Sequence, residues 1–367
     1  MLDRIVAVLA AAAAVPVSHA QINPPIGPVG PSLSEIDQIE PRRAVSAGPI
    51  TTPGSYYLSG NASSIGSGVI IAVGGVTLDL AGFTLTGDNN GPNDFGIWVT
   101  ANSDEPVVIK NGTVKSFEGG GVEVVNDAQP VLIHNVSAVR NGFGFRIAGG
   151  ATLTDCHALN NAGNGFEIGD PNLPGRISGL ERCTSTGHDV GFRIWNARLL
   201  ACRASGATGT GFIVNDGTLV ECIANTNGIQ GFNGRDTSFV ACAATSNGNV
   251  GFQLIGGSIE GSRTRDNQIG FEISTQAHAR ECVSLQDTTG ATVSFSSLFE
   301  RSSVIFPSTR GILASNNAIV LDNHIRVGNN VDAITVSGTG SVIGREVTFS
   351  SPGNTSYVKP VGANLIY

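Results

Sequence analysis

The sequence is poor in lysine and in aromatic residues other than phenylalanine. It has three lysines, two tryptophans and four tyrosines among 367 residues, and its formal net charge at pH 7 is −8. Proteins that bind nucleic acid or anionic membranes through charge need a basic patch, which this composition does not supply. The few tryptophans and tyrosines also argue against an extended stacking surface for sugars.

Long apolar runs are missing outside the first residues. Residues 5–15 form one apolar run, which follows Arg4 and precedes the small residues Ser18 and Ala20. This pattern is typical of a secretory signal peptide cleaved after Ala20, and the run is too short to span a bilayer. We therefore predict a secreted or periplasmic protein without a membrane span.

A glycine–phenylalanine pair recurs through the middle of the chain. Successive pairs are 21, 26, 20, 20, 20 and 19 residues apart, and a period in this range is the signature of a solenoid. The pairs are Gly144-Phe145, Gly165-Phe166, Gly191-Phe192, Gly211-Phe212, Gly231-Phe232, Gly251-Phe252 and Gly270-Phe271.

Each repeat predicts short strands joined by turns. The phenylalanine is followed two positions later by an aliphatic residue in most units, as at Ile194 and Val214, which indicates a strand with one buried face. A unit has no room for strands and an ordinary helix together, and it lacks the six-residue pattern of a left-handed β-helix. Parallel pairing of consecutive units satisfies the spacing and predicts ladders of equivalent side chains.

Asparagines precede several of the repeated glycines by three or four residues. They either form a ladder of mutually bonded amides or are present because asparagine suits turns. The residues are Asn161, Asn227, Asn247 and Asn267.

The Gly-Phe-x-Ile units, together with residues 76–85 and 107–114, resemble the right-handed parallel β-helix repeats of the pectin-lyase-like superfamily. The resemblance implies an all-β solenoid of about 11 or 12 rungs with ~20 residues each. We assign residues 1–20 to the signal peptide, 21–48 to a lead-in whose residues 34–40 suit a capping helix, 49–349 to the β-helix, and 350–367 to a C-terminal cap or tail.

The six cysteines fall on the same repeat. Five of them follow a repeated phenylalanine by ten or eleven residues, and Ser262 takes the cysteine position in one unit. Stacked positions hold side chains parallel, which does not suit a disulfide, so we expect buried thiols. No Cys-x-x-Cys pair or histidine cluster predicts a metal site.

The resemblance implies catalytic motifs that can be searched for. The Asn-Thr-Asp, Asp-Asp, Gly-His-Gly and Arg-Ile-Lys motifs of polygalacturonase-like hydrolases are absent, as is the Asp-Pro-His-Asp motif of mannuronan epimerases. Lyases of the superfamily have no short motif, so the sequence does not test for them.

An insertion at residues 169–175 lengthens the unit that begins at Gly165, and insertions in solenoids often flank a binding face. Stacking of this unit on its neighbours predicts two outward rows beside the insertion. Arginine and tryptophan in these rows suit carboxylate and sugar-ring recognition, although a solvated polar face is the simpler interpretation. The predicted ligand-binding residues are Arg146, Glu167, Arg193, Trp195, Asn215 and Arg235.

Candidates for catalysis and for calcium binding are weaker. Cleavage of a glycosidic bond needs two facing carboxyl groups, and a histidine could act as a base. The catalytic candidates are Glu167, Asp170, Glu181, His188, Asp189 and Arg193. Asp88, Asn90 and Asp94 lie in a segment rich in oxygen ligands, which suits either calcium or an ordinary turn.

Three functions remain open at this point. The first is a non-catalytic polysaccharide-binding or cell-surface protein. The second is a carbohydrate-active enzyme, such as a lyase that acts on an acidic polysaccharide or a glycoside hydrolase. The third is a structural scaffold or adhesin, and the oligomeric state is not predicted.

Overall fold

The computed structural model describes residues 42–102, 104–125, 130–170, 177–328, 331–344, 348–350, 358–359 and 365–366, with side chains up to Gly344. One compact unit runs from Arg42 to Tyr367. The predicted signal peptide and capping helix lie outside the described residues, as does most of the predicted C-terminal cap or tail.

The described chain is a parallel β-helix of about 14 turns, and these residues contain no helix. Each turn contributes one strand to each of three parallel ladders. No helix of the described part is long and apolar enough to cross a membrane. The predicted all-β solenoid is confirmed, but the estimate of 11 or 12 rungs was too low.

The first ladder contains Arg42–Val45, Gly54–Leu58, Val76–Asp79, Val107–Lys115, Val131–Val139, Ala151–Thr154, Ser178–Glu181, Ala197–Leu200, Thr218–Val220, Gln230–Val240, Val250–Glu260, His278–Arg280, Leu298–Glu300, Ile319–Leu321, Val342–Gly344 and Leu365–Ile366.

The second ladder contains Gly48–Ile50, Val69–Ile71, Phe95–Val99, Gly120–Val124, Phe145–Ile147, Phe166–Ile168, Phe192–Trp195, Phe212–Asn215, the first halves of Gln230–Val240 and Val250–Glu260, Ile269–Ser274, Thr289–Val293, Arg310–Ser315, Asp332–Ser337 and Val358–Lys359.

The third ladder contains Ala62–Ser63, Thr84–Thr86, the ends of Val107–Lys115 and Val131–Val139, His157–Leu159, Thr184–Thr186, Arg203–Ser205, Ile223–Asn225, Ala243–Thr245, Arg263–Arg265, Val283–Leu285, Ser303–Ile305, His324–Arg326 and Thr348–Ser350.

The repeated phenylalanines form a continuous stack in the bore of the second ladder. Neighbouring rings from Phe145 to Phe271 lie 4.5–5.4 Å apart and within 10° of parallel. All of these rings are buried. Earlier turns place Val69, Ile97 and Val122 in this position, and later turns place Ala291 and Ile312 there. Because these turns lack the phenylalanine, the Gly–Phe repeat underestimates the number of turns.

The asparagine ladder is confirmed as two runs of bonded amides, Asn141 to Asn161 and Asn227 to Asn267, and His188 and Ala207 occupy the corner between them. Side-chain amides of successive turns are bonded, for example Asn227 Nδ2 to Asn247 Oδ1 at 2.9 Å. Asn141 begins the described part of the ladder, and the buried carboxylate of Asp287 accepts the last bond from Asn267 Nδ2 at 2.9 Å. The side chains therefore satisfy backbone and amide groups that a buried corner would otherwise leave unpaired.

The six cysteines are free and buried. Their thiols contact backbone carbonyl groups, as Cys242 Sγ contacts Val240 O at 3.4 Å. Burial raises the pKa of the Cys282 thiol to about 12. The cysteine ladder therefore behaves as small apolar filling of the bore.

Candidate functional site

The outward residues of the second ladder form the row that the repeat predicts. Consecutive strands pair Arg146 with Glu167 and Glu167 with Arg193, and the row continues through Ile213, Asn233, Gln253 and Glu272. It also extends one turn earlier to Glu123, which pairs with Arg146. Sequence analysis missed Glu123 because its strand carries Val122 where later strands carry phenylalanine.

A second outward row lies two residues further along each strand. Trp195 pairs with Asn215, and Asn215 pairs with Arg235. Ile255 separates Arg235 from Ser274 in this row. The predicted binding residues therefore share one face of the solenoid but extend along it over several turns.

A cleft of about 360 Å³ lies on this face at its upstream end. Its polar lining includes Glu123, Arg146, Glu167 and Asp170, and Trp195 also lines it. The other lining residues are Val124, Val125, Ile147, Ala148 and Gly169. Arg193, Asn215 and Arg235 do not line this cleft. Of the insertion, only Gly169 and Asp170 fall within the described residues.

Glu123 and Arg146 form an ion pair on the wall of the cleft. Arg146 Nε donates to Glu123 Oε2 at 2.6 Å, and Glu123 is only 5% exposed. Burial raises the pKa of Glu123, while the bond from Arg146 opposes that rise. The Arg146 guanidinium also lies 4.8 Å from the ring centroid of Phe143. These contacts hold one cation and one carboxyl group in fixed positions on the cleft wall.

Glu167 is held by a residue of the turn that precedes its strand. Asn164 Nδ2 donates to Glu167 Oε2 at 2.6 Å. Two strand spacings of ~4.8 Å separate the backbones of Glu123 and Glu167, with Arg146 between them. The negative charge of Glu167 contributes to the raised pKa of Glu123. The cleft therefore presents carboxyl groups on both sides of one guanidinium.

Two nearby polar groups have no hydrogen-bond partner among the described residues. They are the buried Nε of Arg193 and the buried Nε1 of Trp98. Trp98 pairs with Glu123 one turn upstream, and its ring lies 5.6 Å from that of Phe95. Both groups therefore lie on strands adjacent to the cleft-lining residues of the row.

His188, the candidate base, lies in a turn before Phe192, but its side chain does not reach the surface. It is 2% exposed, and its Nδ1 accepts a hydrogen bond from the Asn161 backbone N–H at 3.0 Å. Burial lowers its pKa, so the ring is neutral at pH 7. The side chain occupies a position of the asparagine ladder inside the bore, which separates it from the cleft.

The remaining carboxyl candidates do not converge on the cleft. Glu181 lies on the first ladder and pairs with Arg182. Asp189 is an exposed residue of the turn before Phe192. Of the proposed catalytic residues, the cleft therefore brings together Glu167 and Asp170 only.

The segment proposed for calcium forms a turn before the strand Phe95–Val99. Asp88 and Asn90 are exposed, and Gly91 N–H donates to Glu118 Oε2 at 2.8 Å. In the described portion of the chain, no three histidine, cysteine, aspartate or glutamate side chains are arranged to hold a metal. Calcium binding by Asp88, Asn90 and Asp94 stays a prediction.

Comparison with known proteins finds structures of similar fold but no matching family and no similar sequence. No known family profile and no curated protein sequence matches the chain. Among solved structures, the A-module of Azotobacter vinelandii mannuronan C-5 epimerase AlgE4 superposes with a TM-score of 0.51 at 15% identity, covering 86% of this chain and 91% of that one.

Two further solved structures are similar over most of this chain. The periplasmic alginate epimerase AlgG gives a TM-score of 0.37 at 11% identity, covering 89% of this chain and 85% of that one. The catalytic unit of a GH87 α-1,3-glucanase from Streptomyces thermodiastaticus gives 0.33 at 14% identity, covering 88% and 62%. The likeness to the AlgE4 A-module shows the fold alone, a parallel β-helix.

Proposed function

We propose that this protein is an exported polysaccharide-binding protein whose cleft holds a segment of the sugar chain. The observation that carries the proposal is the convergence of Glu123, Arg146, Glu167, Asp170 and Trp195 on one cleft of about 360 Å³. Carboxylates and a guanidinium hydrogen-bond sugar hydroxyls, and an indole packs on the apolar face of a sugar ring. A few fixed polar groups beside an aromatic wall are the usual composition of a small-molecule site.

The likeness to solved structures supports this proposal in a general way. The similar structures are epimerases that act on mannuronan or alginate and an α-1,3-glucanase. The fold alone does not transfer an activity, and this chain lacks the Asp-Pro-His-Asp motif. Binding without turnover is therefore the proposed function, because it requires no catalytic residues in addition to those that line the cleft.

The test is retention of the purified protein on a panel of immobilised polysaccharides, with released oligosaccharides measured by mass spectrometry. We expect retention without products, and we expect Trp195→Ala to weaken binding about tenfold, or ~1.4 kcal/mol. Phe295→Ala is the control, because it removes an exposed aromatic side chain outside the cleft. Retention that is equal in Trp195→Ala and the wild type would argue against the cleft. Absence of both retention and products would favour a scaffold or adhesin.

Glycan cleavage is a second candidate, favoured by the environment of Glu123. Burial raises the pKa of this carboxyl group, which is the property of a general acid, and Glu167 lies two strands away. Inverting hydrolysis uses carboxyl groups about 6.5–9.5 Å apart. Release of products that stops in Glu123→Gln while retention persists would establish this candidate and exclude the non-catalytic one.

A further inference from the structure

We infer that the cysteine ladder in the bore is a binding site for soft divalent cations that bind two thiolates in line, such as mercury(II). This inference goes beyond the proposed function, because the ladder lies inside the solenoid and shares no residue with the cleft. Five consecutive turns each contribute one cysteine to the ladder, namely Cys156, Cys183, Cys202, Cys222 and Cys242.

The sulfur atoms of the ladder are held in the same way in every turn. Each contacts the carbonyl oxygen of the residue two positions before it and a carbonyl oxygen of the preceding turn. For Cys222 Sγ these are Val220 O at 3.5 Å and Leu199 O at 3.8 Å. The backbone repeats as well, since the Ile223 N–H donates to Cys202 O at 2.9 Å and the other turns do the same. The thiols therefore stand in register, one strand spacing of ~4.8 Å apart.

This spacing matches that of two sulfur atoms joined by one metal ion in line. A metal–thiolate bond of about 2.3 Å on each side of the ion places the two sulfur atoms about 4.6 Å apart. The Cys183 thiol interacts with the thiols of both Cys156 and Cys202 on the turns beside it. A disulfide instead requires β-carbons ~3.8 Å apart. The ladder therefore suits a shared ion better than a covalent bond between the sulfur atoms.

The charge of the complex selects a divalent cation. One mercury(II) ion binds two thiols and releases two protons, which leaves a neutral complex in the bore. Copper(I) or silver(I) between two thiolates would leave one negative charge there, which is costly without a partner. No arginine or lysine among the described residues is buried to supply one.

The linear arrangement also argues against zinc. Zinc prefers four ligands around one point, whereas a line of sulfur atoms offers two to each ion. Across the described ranges, no three histidine, cysteine, aspartate or glutamate side chains are arranged to hold one metal ion. Soft thiolate ligands and two-fold coordination together favour a mercury(II)-like ion.

The length of the ladder sets its capacity. Each ion uses two neighbouring cysteines, so five cysteines hold two ions and leave one thiol over. Cys282 lies outside this set, because Ser262 occupies the ladder position on the turn between Cys242 and Cys282. Loss of the second or fourth cysteine leaves one pair of neighbours at a time, whereas loss of the middle cysteine leaves two.

Serine variants in a Cys282→Ser background test this pairing. The reduced protein would be incubated with mercury(II) chloride and a small excess of a water-soluble monothiol until binding is constant, since a buried site fills through local opening. Mercury that remains after gel filtration would be measured by mass spectrometry. We expect two ions per chain in the background and in Cys202→Ser, but one in Cys183→Ser and in Cys222→Ser. X-ray absorption should show two sulfur ligands for each ion.

The variants should fold, because Ser262 and Ser302 already occupy this ladder, and thermal unfolding of each variant checks that they do. Mercury binding that falls equally in all three variants would mean that the cysteines act independently, and it would overturn the inference. Ions with one sulfur ligand, or a folded protein that binds no mercury, would also overturn it. None of these results bears on polysaccharide binding in the cleft.

Discussion

A β-carbon added to Gly211 would lie 2.7 Å from the carbonyl oxygen of Gly231 on the next turn. Gly191 stands in the same relation to Gly211, at 2.5 Å. Contacts this short do not occur between real side chains and backbone, so the corner before each phenylalanine admits only hydrogen. The glycine of the Gly–Phe repeat is therefore a consequence of the close approach of consecutive turns.

This relationship predicts that Gly211→Ala is strongly destabilising. The added methyl group would also meet Asn227 Nδ2 at 2.7 Å, so backbone or the buried amide ladder must move. We expect a loss of about 3 kcal/mol, as for overpacked cores, measured by urea unfolding. Gly179→Ala is the matched control on the first ladder, because nothing lies within 4 Å of its added β-carbon. Equal stabilities of the two variants would contradict the argument.

Asp287→Asn should stabilise the protein at neutral pH. Asp287 is fully buried, and burial raises its pKa despite hydrogen bonds from Thr264, Ser284 and Asn267. The folded state therefore holds the proton more tightly, so stability from this group falls as pH rises above the ordinary value of about 3.9. Asparagine keeps the acceptor for Asn267 without a charge. We expect a gain of about 1 kcal/mol at pH 7 that disappears near pH 3.5.

The control for this prediction is Asp216→Asn, which changes an exposed corner residue. It should alter stability by less than about 0.5 kcal/mol. A destabilised Asp287→Asn protein at pH 7 would mean that the four hydrogen bonds to the carboxylate outweigh its desolvation.

His188 should make the protein sensitive to acid. Burial lowers the pKa of this ring, so the unfolded chain takes up a proton before the folded chain does. Stability then falls as pH decreases below the ordinary histidine value of about 6.5. His188→Asn should remove that decline, because asparagine occupies the same ladder position at Asn161 and Asn227.

The measurement is urea unfolding at pH 7.5 and pH 5.0. When the pH is lowered from 7.5 to 5.0, the free energy of unfolding of His188→Asn should rise relative to that of the wild type. The expected rise is about 1.4 kcal/mol for each unit by which folding lowers the pKa of His188. His324→Asn, at an exposed strand position, is the control and should show no such change. If the free energies of unfolding of the wild type and His188→Asn change equally with pH, the prediction is wrong.

The cysteines should be reduced and inaccessible in the folded protein. All six are buried, so a reagent in solution does not reach their sulfur atoms, and burial also raises the pKa of Cys222 and Cys282. We expect no thiol to react rapidly with a disulfide reagent in the native protein and six to react after denaturation without a reductant. Fewer than six in the denatured protein would indicate disulfides.

The sequence predicted the fold well because its signal is repeated. Phe145 to Phe271 and the asparagine ladder recur at nearly constant spacing, and parallel stacking turns that spacing directly into contacts. The outward row from Arg146 to Glu272 follows from the same periodicity. Turns whose inward residue is Val122 or Ile312 interrupt the pattern, and they could not be counted by motif.

The site was predicted less completely because it depends on features that do not repeat. Glu123 carries no local motif, and its partner Arg146 lies on the next turn, 23 residues away in the chain. His188 has the sequence context of a turn, but its ring points inward because the preceding and following turns place asparagine or alanine at that corner. The repeat predicts the side chains that recur from turn to turn. It does not predict the position of a residue that occurs in one turn only.

The turns that begin at Gly211 and Gly231 are both 20 residues long and place the same ladder positions in register. Either could be deleted or copied as a block of sixty nucleotides, and the strands on both sides would still find partners. The cleft is confined to earlier turns, so such events would leave it intact. Evolution can therefore lengthen or shorten the solenoid after the cleft in steps of ~4.8 Å, one turn at a time. Such a change would not alter the residues that line the cleft.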